Sequence, residues 1–142
     1  MLKYNCEDYK RITTINCAAS NSKVSKPFYV NNKNFGANSL VKEKYNSKIK
    51  VKCNTLDNLI RFNSINNSFV KIDTEGSELL VIKGMKKLIK SKNLIVGIEQ
   101  LKKEFFVKEN VLTSDCIELL KKNKFKYFYE ITSKEWKFKY FF

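Results

Sequence analysis

The chain has 142 residues, 43% hydrophobic and 13% aromatic, which is enough apolar material for one core and predicts a single domain. Its 28 Lys and Arg against 14 Asp and Glu give a formal charge of +14, and it contains no histidine. Ser-His-Asp and Cys-His catalysis, imidazole acid-base chemistry and most zinc sites are thereby excluded, so a general base has to be a carboxylate or, failing that, Lys, Tyr or Cys.

In chain order, the first distinctive stretch is Ser20 to Ser47, rich in Asn, Ser and Lys with the lone Pro27, which predicts long loops around a short hairpin. Next comes Phe69-Val70-Lys71-Ile72-Asp73-Thr74-Glu75-Gly76-Ser77-Glu78, an apolar run ending in three carboxylates around one glycine. It reads as a buried strand delivering acids into a turn that starts a helix, the place where open α/β sheets build their sites. Leu79, Ile82, Met85 and Ile89 then recur at helical spacing, with Val81 and Leu88 widening the stripe and Lys83, Lys86, Lys87 and Lys90 on the wet side. A second apolar strand, Leu94 to Ile98, ends in Glu99 and Gln100. Strand, helix and strand form a crossover unit with parallel strands and a right-handed connection, so both strands end on one rim.

That rim gathers Asp73, Glu75, Glu78 and Glu99. A carboxylate at the end of a buried strand carries a desolvation cost that points Asp73 and Glu75 towards function. Glu78 near a helix N-terminus also suits the dipole, and Thr74 or Ser77 suits a cap. Gly76 suits a positive φ or a close approach to a ligand.

Further on, Ile117, Leu119 and Leu120 after Thr113 and Ser114 mark a helix. Lys121 to Tyr129 and Trp136 to Phe142 alternate charge with aromatics, the period of an antiparallel edge pair and also that of a stacking platform for single strands. The lysines are spread along the chain and only Arg11 and Arg61 are arginine, so non-specific adhesion to phosphate at low salt is expected rather than specific nucleic-acid recognition. Cys6, Cys17, Cys53 and Cys116 form no Cys-x-x-Cys pair and no secretory signal opens the chain, so no disulfide framework is expected. No apolar run approaches the roughly 20 residues that span a bilayer, and the protein is expected to be soluble and cytoplasmic, without a membrane partner.

Lys71-Ile72-Asp73-Thr74-Glu75-Gly76-Ser77-Glu78 followed by Val81-Ile82-Lys83-Gly84 resembles the Asp-x-Glu-Gly-x-Glu then Leu-x-Gly signature of the FkbM family of S-adenosylmethionine-dependent methyltransferases. Thr55-Leu56-Asp57-Asn58-Leu59 is similar to the family's Thr-Leu-Asp stretch, and Asn16-Cys17-Ala18-Ala19-Ser20 to its third strand and turn. Phe28-Tyr29-Val30 with Gly36-Ala37-Asn38-Ser39-Leu40 is similar to the hairpin region, and Glu99 stands where the family's fifth strand ends in an acid. Four segments in the right order are more specific than the short acidic motif alone.

The resemblance implies S-adenosyl-L-methionine as cofactor and transfer of its sulfonium methyl to a hydroxyl of a sugar or other small molecule. It implies Asp73 as the base or as the anchor of the acceptor hydroxyl, with Glu75 beside it, Glu78 and Glu99 as acceptor contacts, and Ala18, Ala19 and Ser20 lining the adenine. No metal ligand is assigned, and the residues leave open whether a divalent ion sits on these carboxylates. Methyltransferases of this fold hold the cofactor with a first strand and glycine-rich turn, whereas this sequence begins at about the third strand and has no Gly-x-Gly. The expected fold is therefore α/β, an incomplete Rossmann-like class I methyltransferase sheet lacking the first two strands and the glycine-rich loop, with a C-terminal antiparallel strand pair. Residues 1–142 form one partial domain, with a loop and hairpin region at 20–47 and a strand-helix-strand core at 69–100. A complementary N-terminal half is the implied partner beside the small-molecule acceptor. An inactive remnant or noncatalytic partner subunit, and a basic nucleic-acid-binding module, are the alternative readings.

Overall fold

A computed structural model describes residues 2–34, 38–40, 47–60, 67–99, 113–131 and 136–140. Gly36, Ala37, Arg61, Gln100 and the closing Phe141-Phe142, singled out above, lie outside the described residues. The elements run α1 (Leu2–Asn5), β1 (Ala18–Ala19), β2 (Ser25–Val30), β3 (Ser47–Asn54), α2 (Leu56–Leu59), β4 (Ser68–Ile72), α3 (Glu78–Lys83), a 3₁₀ turn (Leu88–Lys90), β5 (Leu94–Ile98), α4 (Thr113–Lys122), β6 (Tyr127–Ile131) and β7 (Trp136–Tyr140).

The chain is a mixed α/β protein. Its strands gather into a three-stranded sheet in the order β1-β3-β2 and two pairs, β4-β5 and β6-β7. β4 and β5 are parallel and in register from Ser68 opposite Leu94 to Ile72 opposite Ile98, as the crossover reading requires. β6 and β7 are antiparallel, matching the edge-pair reading. The hairpin expected within 20–47 reaches beyond it, because its second strand is β3: β2 pairs with β3 without a break from Ser25 opposite Lys52 to Val30 opposite Ser47. Among the described residues the three groups do not join into one wound sheet, and β4 has a hydrogen-bonded strand on one side only.

Core residues follow the predicted stripe. Leu79, Val81, Ile82, Met85, Leu88 and Ile89 are all buried, together with Ile72 of β4 and Cys116 and Leu120 of α4. Burying a side chain of this size contributes about 1.5–3 kcal/mol, so the stripe is the main source of stability here. The single long helix expected from Leu79 to Ile89 is instead broken at Gly84. A Cβ on Gly84 would lie 2.1 Å from the carbonyl oxygen of Ser20, so the end of α3 sits flush on the backbone that follows β1. The chain restarts at the 3₁₀ turn because the Asp57 carboxylate accepts from the backbone N–H groups of Lys87 at 2.7 Å and Leu88 at 3.0 Å. Side-chain acceptance there replaces the helical bonds that the break removes.

The reading of Phe69–Ile72 as a strand buried on both faces needs correction. Val70, Ile72, Leu94, Val96 and Ile98 turn towards the helices, but Phe69 and Ile95 are 66% and 63% exposed on the opposite face. An uninterrupted apolar run does not reveal whether the second face is covered, because both cases call for the same residues.

Candidate functional site

β4 alternates its side chains, so Ile72 enters the core while Lys71 points outward and Asp73 begins the loop. The Glu99 N–H donates to the Ile72 carbonyl at 2.9 Å, which carries the parallel ladder just past β5 and brings Glu99 out beside Asp73. Both strands therefore end on one rim. Lys71 is the residue that joins them: its Nζ lies 2.6 Å from Asp73 Oδ2 and 3.4 Å from Glu99 Oε2.

These side chains are in contact with water, at 39% exposure for Asp73 and 50% for Glu99. Asp73 is not the desolvated carboxylate expected at the end of a buried strand, since burial influences it less than its hydrogen bonds do. The Lys71 ammonium chiefly, and hydrogen bonding with Glu99 next, hold the Asp73 carboxyl below its ordinary value, and Asp73 in turn holds the Lys71 ammonium above its own. What the arrangement offers is an ionised Asp73 carboxylate, fixed by one cation with Glu99 beside it and open to a hydroxyl-bearing ligand.

The turn from Asp73 to Ser77 is held from three sides. Glu78 Oε1 accepts from the Thr74 N–H at 3.2 Å, the Thr74 hydroxyl at 3.0 Å and the Gly76 N–H at 3.0 Å. The Ser77 hydroxyl donates to the Thr74 carbonyl at 3.0 Å, and the Ser39 hydroxyl donates to the Glu75 carbonyl at 2.6 Å. Gly76 takes φ 97°, the positive value anticipated for it, and Glu75 also takes a left-handed φ of 50°. A non-glycine residue there costs roughly 1–2 kcal/mol, which the clasp around it offsets. Ser77 occupies the N-cap position of α3 but makes no capping hydrogen bond from its side chain. Glu78 has the structural role weighed for it in the sequence, though it clasps the turn rather than only facing the helix dipole.

Ala18, Ala19 and Ser20 lie elsewhere. β1 runs beside the end of β3, with Ala18 opposite Cys53 and Ala19 opposite Asn54. Ser20 is fully buried; its hydroxyl accepts from the Lys26 ammonium at 2.8 Å and donates to Asn21 Oδ1 at 3.3 Å. Its carbonyl is packed on Gly84, at the C-terminal end of α3, whereas the acidic turn is at the N-terminal end, about 10 Å away by helical rise. Small residues suit this close backbone crossing; the Ser20 side chain is enclosed, and Ala18 and Ala19 are half-buried.

Depressions in the surface fall away from the rim. One of about 590 Å³ is lined by Asn67, Ser68, Phe69, Asn93, Leu94 and Ile95 at the far ends of β4 and β5. Another of about 480 Å³ lies over Ile82, Ile89 and Leu119 with Lys83, Lys86 and Lys90 around it. The rim stands out by its chemistry. Among the described residues there is no cluster of three metal-ligating side chains, and no helix long and apolar enough to cross a membrane. All four cysteines are free thiols, with burial raising Cys53 and pushing Cys116 up to about 11.

Sequence reading missed Lys71, Ser39 and Asp57 as organising residues. Lys71 had a usable signal, because it stands two positions before Asp73 on an extended strand, which puts both on one side. Ser39 had none, being 36 residues from the carbonyl it serves.

A parallel strand-helix-strand unit with carboxylates on its C-terminal rim defines an α/β protein of the kind that binds ligands at strand ends. The profile described as Methyltransferase FkbM domain matches residues 2–127, so the chain belongs to the FkbM methyltransferase family. No significant match is found among curated proteins or among solved structures.

Proposed function

We propose that the rim of β4 and β5 is the acceptor side of a methyltransferase that uses S-adenosyl-L-methionine to O-methylate a hydroxyl of a sugar or other small molecule. The observation carrying this reading is the pair of exposed carboxylates, Asp73 and Glu99, converging on Lys71 in a chain of the FkbM family. An acceptor hydroxyl donates to Asp73, which fixes its oxygen for in-line attack; orientation of this kind is the larger part of catalysis when the electrophile is already activated. Because Lys71 keeps Asp73 ionised, the carboxylate is a strong hydrogen-bond acceptor at neutral pH and a weaker base than an unpaired one. Anchoring is therefore its first role, and proton acceptance as the new bond forms its second. Glu75 supplies its backbone to the turn, and Glu99 is the second acceptor contact.

The Ser20 side chain is enclosed, whereas Ala18 and Ala19 are half-buried and would line the adenine of S-adenosyl-L-methionine, the group that would supply the activated methyl. The edge of β4 that no strand pairs among the described residues, with the exposed Phe69 and Ile95, supports a complementary methyltransferase half, carrying the glycine-rich strand and turn, as the partner of this chain. The same observations favour the second reading, a noncatalytic partner subunit of cytoplasmic location.

Titration calorimetry of S-adenosyl-L-methionine and S-adenosylhomocysteine into the folded chain separates these readings. Saturable binding supports a self-sufficient enzyme. Heat seen only after a complementary half is added supports a split enzyme, and no heat in either case leaves the noncatalytic subunit. In an active assembly Asp73→Asn lowers turnover far more than thermal stability, and equal loss of both would return Asp73 to a structural role.

A further inference from the structure

The positive charge that looks dispersed along the sequence is not dispersed on β3. Its period of two places Lys48, Lys50 and Lys52 on one face, while Ile49, Val51 and Cys53 alternate to the other. The second face is buried at Cys53, half-buried at Val51 and open at Ile49, which is 55% exposed, whereas all three lysines are exposed. Antiparallel register sets Ser25 opposite Lys52 and Pro27 opposite Lys50, both exposed and uncharged. Neither β2 nor β3 contains an Asp or Glu, and no ion pair to these three lysines is present among the described residues. The hairpin thus presents a row of exposed lysines rooted about 6.7 Å apart along the backbone, twice the strand rise, with no ion pair among the described residues. That interval is close to the separation of successive phosphates on an extended single strand.

We propose that the outer face of β2 and β3 is a docking surface for the phosphodiester backbone of a single-stranded nucleic acid, held without base recognition. Charge complementarity and the matching repeat select this occupant. A globular acidic protein would present carboxylates at irregular spacing, and the flat row offers no concavity for a small anion. Lysine, a point charge without arginine's fork, suits backbone contact and carries no sequence readout. The surface is separate from the β4-β5 rim, and its function does not depend on methyl transfer.

The test is fluorescence anisotropy of labelled oligothymidylate with the full chain, from about 50 to 200 mM potassium chloride, comparing the slope of log affinity against log salt. Replacing Lys48, Lys50 and Lys52 together by Gln is expected to flatten the slope by about 2, and Lys50→Gln alone by about 0.7. Replacing Lys83, Lys86 and Lys90 by Gln removes the same charge from another face and is expected to leave the slope nearly unchanged. Circular dichroism shows whether each variant is folded, and the single variant decides the matter if the triple one is not. Equal effects of the two triple variants, or no binding at the lowest salt, would overturn the proposal. So would binding of phosphatidylserine vesicles through the same lysines without binding of the oligonucleotide, since that makes the surface a lipid site.

Discussion

Lys71 Nζ stands 2.6 Å from Asp73 Oδ2, and both groups lie on the outward side of the same strand end. The pair controls the ionisation of the rim more than it controls stability, because exposed ion pairs are well screened. Folding lowers the Asp73 pKa below 3.8, so the pair's contribution is present above that pH and is lost as pH falls through the lower, folded value. Lys71→Met is expected to bring the Asp73 carboxyl back up towards its ordinary range, read by carbon-13 NMR titration of that side chain, with little change in Tm. An unmoved titration would mean that Glu99 or the backbone sets the Asp73 charge.

Glu78 illustrates the opposite case, a carboxylate whose work is internal. Its Oε1 serves Thr74 twice and Gly76 once, so Glu78→Ala leaves partly buried donors without an acceptor, at a cost of about 1–3 kcal/mol. Hydrogen exchange at the Gly76 amide should quicken more than exchange in β5. Uniform quickening across the chain would show that Glu78 supports the whole fold rather than the turn.

Gly84→Ala is expected to be among the most damaging small substitutions, at about 3 kcal/mol, because the added Cβ would fall 2.1 Å from the Ser20 carbonyl oxygen and backbone yields poorly. Conformational strain is not the cause, since Gly84 has φ −86°, open to any residue. Chemical denaturation measures it, and a loss below that of an exposed helical Ala-to-Gly exchange would contradict the close crossing.

Cys116 is buried against α3, and desolvation first and the charge of Glu78 second raise its thiol from 9.0 to about 11. Such a shift makes stability full below pH 9.0 and progressively lost as pH rises to about 11, by about 2 kcal/mol. Cys116→Ala should remove this part of the alkaline decline in thermal melts. Mass spectrometry after brief iodoacetamide treatment near neutral pH should find Cys6 and Cys17 alkylated before Cys53 and Cys116, which are buried. Rapid labelling of Cys116 would mean that α4 opens readily from α3.

Local patterns were enough for the crossover unit. The stripe from Leu79 to Ile89, the two apolar strands and the acids that follow each belong to short windows, where period and residue type decide the element. The positive φ of Gly76 and the antiparallel pair near the C-terminus were legible for the same reason. Family membership was legible because its signature is itself a local string. Whatever depends on distant backbone was not. The break at Gly84 comes from the Ser20 carbonyl, the hold on the acidic turn from Ser39, and the restart of the helix from Asp57, each arriving from a different part of the chain. Exposure of Asp73 and burial of Ser20 were not legible either, since solvent contact is set by what packs over a residue and not by its neighbours in sequence. The same holds for Lys48, Lys50 and Lys52, whose alternation is plain in the string but whose shared, uncovered face exists only once β2 pairs beside them and Cys53 turns inward.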